Sequence, residues 1–265
     1  MHTVPRKVNL SKKYSQASSE IDSDVTSELS DNYDISPEAK QAKQDMLDVS
    51  LASDRGFSAS SSDRSKAKKI VDILAKNNPT EEPAAAYYPD NKNDNSKATL
   101  SGKWTLIYTD APDITSLSST TPTAQLGKVG QECNPPMIKN VIEWKKPKWA
   151  SALPFSGSDD SRILQKVCCE GIANPDKPTE VDLKIVGLDL LGKDDSDNEP
   201  SKSSDIQLFN GPVSLLKQLG PLELRGFVKP PFGKFEILYL DEDMRIIRTY
   251  QGYLAVNIRE EKEWF

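Results

Sequence analysis

Apolar residues recur along this chain with two different periods, and the change from one to the other divides it. From about residue 98 onward the period is two. In the stretch TEVDLKIVGLDL at 179–190, Val181, Leu183 and Ile185 fall on one side while Asp182 and Lys184 fall on the other, the alternation of a sheet wetted on one face. Comparable segments predict strands over 102–109, 125–132, 138–144, 148–153, 162–173, 180–190, 205–209, 222–228, 234–240, 245–250 and 253–259. Asp241-Glu242-Asp243 and Gln251-Gly252 read as tight turns, which makes the last three strands antiparallel neighbours. So many short sequential strands predict a mainly β fold whose antiparallel sheet closes into a barrel, because closure removes exposed edges and leaves an interior at roughly eight strands.

Before residue 98 the period is helical where any period exists. Over 65–77, Ile70, Ile73 and Leu74 share a face, Lys66, Lys68, Lys69 and Asp72 face water, and Asn77, Asn78 and Pro79 end the helix. A linker rich in Pro, Asn and Asp follows to 97. Residues 1–63 offer little apolar surface to offset the entropy of ordering, and are expected to be largely disordered. Within them a short helix over 37–51 is conceivable, capped by Ser36 with Met46, Leu47 and Leu51 along one side. The expected organisation is therefore an arm at 1–63, a helix and linker at 64–97, and the barrel at 98–265. Residues 192–204 (GKDDSDNEPSKSS) form an acidic insertion without the spacing of a calcium loop, and a short helix is expected at 213–219.

Composition narrows the chemistry. The net charge of -6 repels a phosphate backbone, and no zinc-finger or RNP spacing overcomes it, so nucleic acid is not an expected partner. The one histidine, His2, sits in the polar tail, which argues against a Ser/His/Asp triad, a Cys/His dyad and His-ligated metal. Cys133, Cys168 and Cys169 make no even disulfide framework and no CxxC pair, as expected of a reducing compartment. Neither a GxGxxG turn nor a GxxxxGK[ST] loop is present, and no cofactor or metal is expected. No apolar run reaches the length of a membrane-spanning helix. Residues 1–19 carry Arg6, Lys7, Lys12 and Lys13, several hydroxyls and no acid, a bias similar to that of organelle transit peptides.

Four segments carry a family resemblance: SGKWTLIYTD at 101–110, LGKVGQ at 126–131, IKNVI at 138–142 and KFEILYLDEDMRIIR at 234–248. Their order and spacing resemble the plastid lipid-associated protein (PAP) or fibrillin family over about 100–259. The matching positions are Gly102, Trp104, Tyr108, Gly127, Asn140, Tyr239, Asp241, Arg245 and Arg248. Asp110, the 249–252 turn and the acidic insertion depart from the pattern. The resemblance implies a lipocalin-like barrel, a plastid location at plastoglobules or thylakoids, and association with carotenoids, quinones or other apolar lipids rather than catalysis.

The residues themselves suggest roles. Trp104, Leu106 and Tyr108 alternate onto one face of the first strand, where the tryptophan can close one end of the barrel while its indole N–H finds an acceptor. Asp241 and Arg245 flank a hairpin and are expected to pair across it. Arg248 can point outward, or inward toward a carboxylate or quinone oxygen. Trp104, Tyr108, Tyr239, Asp241, Arg245 and Arg248 are thus the candidate ligand residues. Trp144, Trp149 and Phe155 among lysines at 144–155, and Phe227 and Phe232 at 226–235, are candidate membrane contacts, since amphipathic rings beside lysines suit a headgroup region. The expected function is non-enzymatic binding of an apolar lipid. The alternative is a solid barrel that coats lipid bodies or joins a thylakoid complex. An enzyme would have to work with carboxylates such as Asp241 or Asp189.

Overall fold

The computed structural model describes residues 36–89, 99–117, 125–145, 162–193 and 233–261, with side chains of the fourth segment described for 164–187. The strands expected at 148–153, 205–209 and 222–228, the helix at 213–219 and the part of the insertion after Lys193 lie outside them.

Eight strands close into an antiparallel barrel in chain order. They are β1 (Gly102–Thr109), β2 (Gln125–Asn134), β3 (Met137–Lys145), β4 (Arg162–Ile172), β5 (Glu180–Lys193), β6 (Lys234–Leu240), β7 (Met244–Thr249) and β8 (Leu254–Glu260), which returns to pair with β1. The β3–β4 and β4–β5 pairs are long, and among the described residues β5 meets β6 over 180–182 against 234–236. The β6–β7 turn forms as expected at Asp241, whose Oδ1 accepts from the backbone N–H groups of Asp243 (2.9 Å) and Met244 (2.7 Å).

Residues 36–63 are the main departure from expectation, because they fold. Helix α1 (Pro37–Ala52) is capped by Ser36, whose Oγ accepts from the Ala39 N–H at 3.1 Å. Helix α2 (Ser61–Lys76) starts at a capping box between Ser60 and Asp63. The two helices lie on the outer face of the barrel, where Met46, Leu47, Ile70, Val71 and Leu74 join Ile107, Tyr108, Tyr239, Met244, Ile246 and Val256 in one core. The buried side of α1 is made of Ala39, Ala42, Lys43, Met46, Leu47, Val49 and Ser50, and half of that face is alanine, serine or lysine stem. Such a face has little hydropathy, which is why the segment reads as polar.

The α1–α2 turn also fills a gap. Beyond Thr105 and Gly130 the paired registers of β1 and β2 end, and the turn spans them: Arg55 O accepts from Thr109 N–H (3.0 Å) and Arg55 Nη1 donates to Gly127 O (3.0 Å). Gly56, at φ 92°, sits so close that a Cβ there would lie 1.9 Å from Thr109 O.

Candidate ligand-binding lumen

Register fixes which side chains point inward. Trp104 is opposite Gln131 and Arg259, Gln131 is opposite Asn140, Asn140 is opposite Val167, and Arg245 is opposite Leu240 and Asn257. Side chains directly opposite one another share a face, so all of these line the interior. At one end the interior is filled. Trp104, Cys133, Ile138, Val181, Phe235 and Ile237 are buried there, and a 3-10 turn (Ala85–Tyr87) enters from below with Tyr87. Tyr87 packs so closely that a Cβ on Gly171 would meet its ring at 2.8 Å.

Trp104 organises this end. Its Nε1 donates to Leu100 O at 2.9 Å, and both Arg245 (5.1 Å) and Arg259 (4.4 Å) lie over its ring. Arg259 Nη1 donates to Ser101 O at 2.6 Å, Nη2 to Thr99 O, and Nε to Glu242 O, tying the start of β1 to the β6–β7 turn. Burial lowers the proton affinity of Arg259, while Asp243 opposes that effect. Gly102 stands at φ 131°, and a Cβ there would lie 2.7 Å from Arg259 Nη1. The Gly-x-Trp pattern thus reflects close approach of a guanidinium to the backbone.

Arg245 is fully buried and begins a polar chain along the wall. Its Nη1 donates to Cys133 Sγ at 3.0 Å and its Nη2 to Gln131 Oε1. Gln131 Nε2 donates to Asn140 Oδ1 at 2.6 Å, and Asn140 Nδ2 reaches Cys169 Sγ at 3.9 Å. Burial holds the Cys169 thiol protonated, pushing it up to about 11, with Cys168 adding to the effect. Tyr87 is likewise pushed upward by burial, with Cys133 beside it adding to the rise, and Arg245 Nε has no hydrogen-bond partner among the described residues.

Toward the other end the inward face changes character. Ile142, Trp144, Gln165, Val167 and Ile185 face the interior and yet are only half-buried, whereas Leu183, opposite Gly171, packs against the Trp104 cluster. Trp144 Nε1 donates to Gln165 Oε1 at 3.1 Å. Among the described residues the interior is therefore tightly packed at the Trp104 end and less buried at the Trp144 end.

The candidate ligand residues separate on this geometry. Trp104 and Arg245 line the packed end of the interior. Tyr108 does not follow Trp104 inward, because a bulge between Leu106 and Tyr108 adds a residue and turns it under the helices. There burial pushes its phenol up to about 12, and its hydroxyl has no hydrogen-bond partner among the described residues. Tyr239, also beside a bulge, is buried under the helices as well. Asp241 does not pair with Arg245. Its Oδ2 takes Lys43 Nζ from α1 at 2.7 Å, with both side chains buried, and the Tyr239 hydroxyl at 2.5 Å. Burial, ahead of that carboxylate, raises the Tyr239 phenol. Arg248 is on the surface, bound to Glu236 at 2.5 Å. Trp144 turns into the lumen mouth, while Trp149, Phe155, Phe227 and Phe232 lie outside the described residues. Sequence reasoning missed Gln131 and Gln165, whose polarity on the inward phase of β2 and β4 was the available signal, and it missed Lys43.

The comparisons with known proteins agree with this architecture. The PAP_fibrillin family profile matches residues 40–163. Over those residues the chain is similar to the PAP/fibrillin family. Relatives include the plastid-lipid-associated protein, chloroplastic, of Citrus unshiu, 24% identical over 241 residues that cover 84% of this chain and 69% of that one. The probable plastid-lipid-associated protein 2, chloroplastic, of Arabidopsis thaliana is 22% identical, covering 84% and 72%. The light-induced protein, chloroplastic, of Solanum demissum is 22% identical, covering 84% and 68%. The PAP/fibrillin match begins inside α1, so the helical cover lies within the matched region along with β1, β2 and β3.

Proposed function

We propose that this protein binds an apolar lipid or pigment in the accessible half of its barrel, at a plastid lipid body or thylakoid surface, without making or breaking bonds. One observation carries the reading: inward-facing Ile142, Val167 and Ile185 remain partly accessible in a barrel whose other end is closed by Trp104 and Tyr87. A solid barrel would bury those aliphatic side chains as it buries Ile138 and Ile237. In the registers set out above, the inward positions carry amides and guanidinium groups and no carboxylate, which favours holding a molecule over acid–base work on one.

The test uses delipidated full-length protein and diphenylhexatriene, a fluorophore that brightens in apolar surroundings. Saturable uptake is expected. Val167→Trp, which fills the lumen with apolar volume, should reduce it at least about tenfold, while Val186→Ser on the outer face should leave it unchanged. Wild-type protein that stays dark, or a Val167→Trp variant that binds normally, overturns the proposal.

A further inference from the structure

The lumen wall holds a directional hydrogen-bond code. Arginine has donors and no acceptor, so the group that Gln131 turns toward Arg245 must be its oxygen. Gln131 Nε2 is then committed to Asn140 Oδ1. That in turn aims Asn140 Nδ2, a two-proton donor, at the interior, where its one partner among the described residues is a protonated thiol sulfur at 3.9 Å, a weak acceptor. The same logic acts independently one row higher. Indole N–H is donor only, so Trp144 fixes Gln165 with its oxygen toward the ring, and Gln165 Nε2 has no acceptor among the described residues. Asn140 faces Val167 and Gln165 faces Ile142, so the two amides are diagonal neighbours on the β3–β4 wall. Both side chains are half-buried, not sealed.

We infer that the β3–β4 wall presents two hydrogen-bond donors, Asn140 Nδ2 and Gln165 Nε2, to the lumen, and that the guest is an apolar molecule bearing carbonyl-type acceptor oxygen. This rests on the proposed function and specifies its ligand class. A pure hydrocarbon leaves both donors unmet when it displaces water from them, and an unmet buried donor is costly. A ketone, ester or quinone oxygen satisfies them while its hydrocarbon part lies against Ile142, Val167 and Ile185. A site that discriminates in this way gains through the penalty on the wrong guest as well as the bond to the right one.

The test compares 4-decylacetophenone with decylbenzene, which differ by one acetyl group, by calorimetric titration of the delipidated full chain. The ketone is expected to bind about three- to tenfold more tightly. Asn140→Leu and Gln165→Leu, each checked for unchanged thermal melting, should remove that preference for the ketone while holding decylbenzene affinity constant or raising it. Asn140→Asp, which replaces a donor by an acceptor without changing size, should lose the preference too, and it provides the answer if the leucine variants do not fold. Equal affinity for both probes in the wild type, or variants that lose both probes alike, overturns the donor wall and leaves lumen binding standing. Failure of the wild type to bind either probe overturns both.

Discussion

At the residue scale the most consequential contact is the one between Lys43 and Asp241. Their side chains are 4% and 1% exposed, so neither charge has water to fall back on. Breaking such a pair by removing one partner costs about 3 kcal/mol or more. Lys43→Met should lower the unfolding free energy in urea by about that amount. Adding Asp241→Asn should recover much of the loss, because the amide oxygen still accepts from Asp243 and Met244. Asp243 makes a second prediction. Burial pushes its carboxyl up to about 6, with Asp241 and Glu242 adding to the rise and Lys43 and Arg259 opposing it. A folded state with the higher affinity binds more protons than the unfolded chain between about pH 4 and 6. Stability therefore falls as pH rises through that window, by about 1–2 kcal/mol once partial solvent exposure is allowed for. Asp243→Asn should flatten the dependence measured by denaturant midpoints. Gly102→Ala, which forces a Cβ onto the Arg259 guanidinium at positive φ, should cost about 1–3 kcal/mol.

At the scale of elements, α1 changes the picture of where the folded unit begins. Leu47 is buried against the barrel, and Leu47→Ala should destabilise by about 2–5 kcal/mol. Deleting residues 1–52 should sharply lower the melting temperature or yield insoluble protein, since it uncovers Tyr108, Tyr239 and Ile246. The strands were legible because their burial alternates, and each of β1 to β8 lies where period two predicts it. The helical cover was not, because alanines and an aliphatic lysine stem make a buried face without a hydropathy signal. Inward or outward placement of single residues was lost wherever a bulge intervened. At Leu106/Tyr108 one extra residue reverses the face, and side-chain period alone cannot register it. The same limit explains Asp241: local pairing across the hairpin was visible in the sequence, but a partner 198 residues away was not.

At the scale of the whole molecule the barrel is asymmetric along its axis. One end carries the tryptophan, two guanidinium groups and the incoming Tyr87. The other carries aliphatic wall, Trp144 and the two amides. On the proposed function, stability is concentrated in the first and recognition in the second, so substitutions should separate: changes at Trp104 should show in unfolding, and changes at Val167 or Asn140 in binding.

The Arg259 contacts give this division a practical outcome. A single guanidinium joins the carbonyls of Thr99, Ser101 and Glu242, so the start of β1 and the β6–β7 turn are fastened by one side chain, and loss of that side chain should release both together.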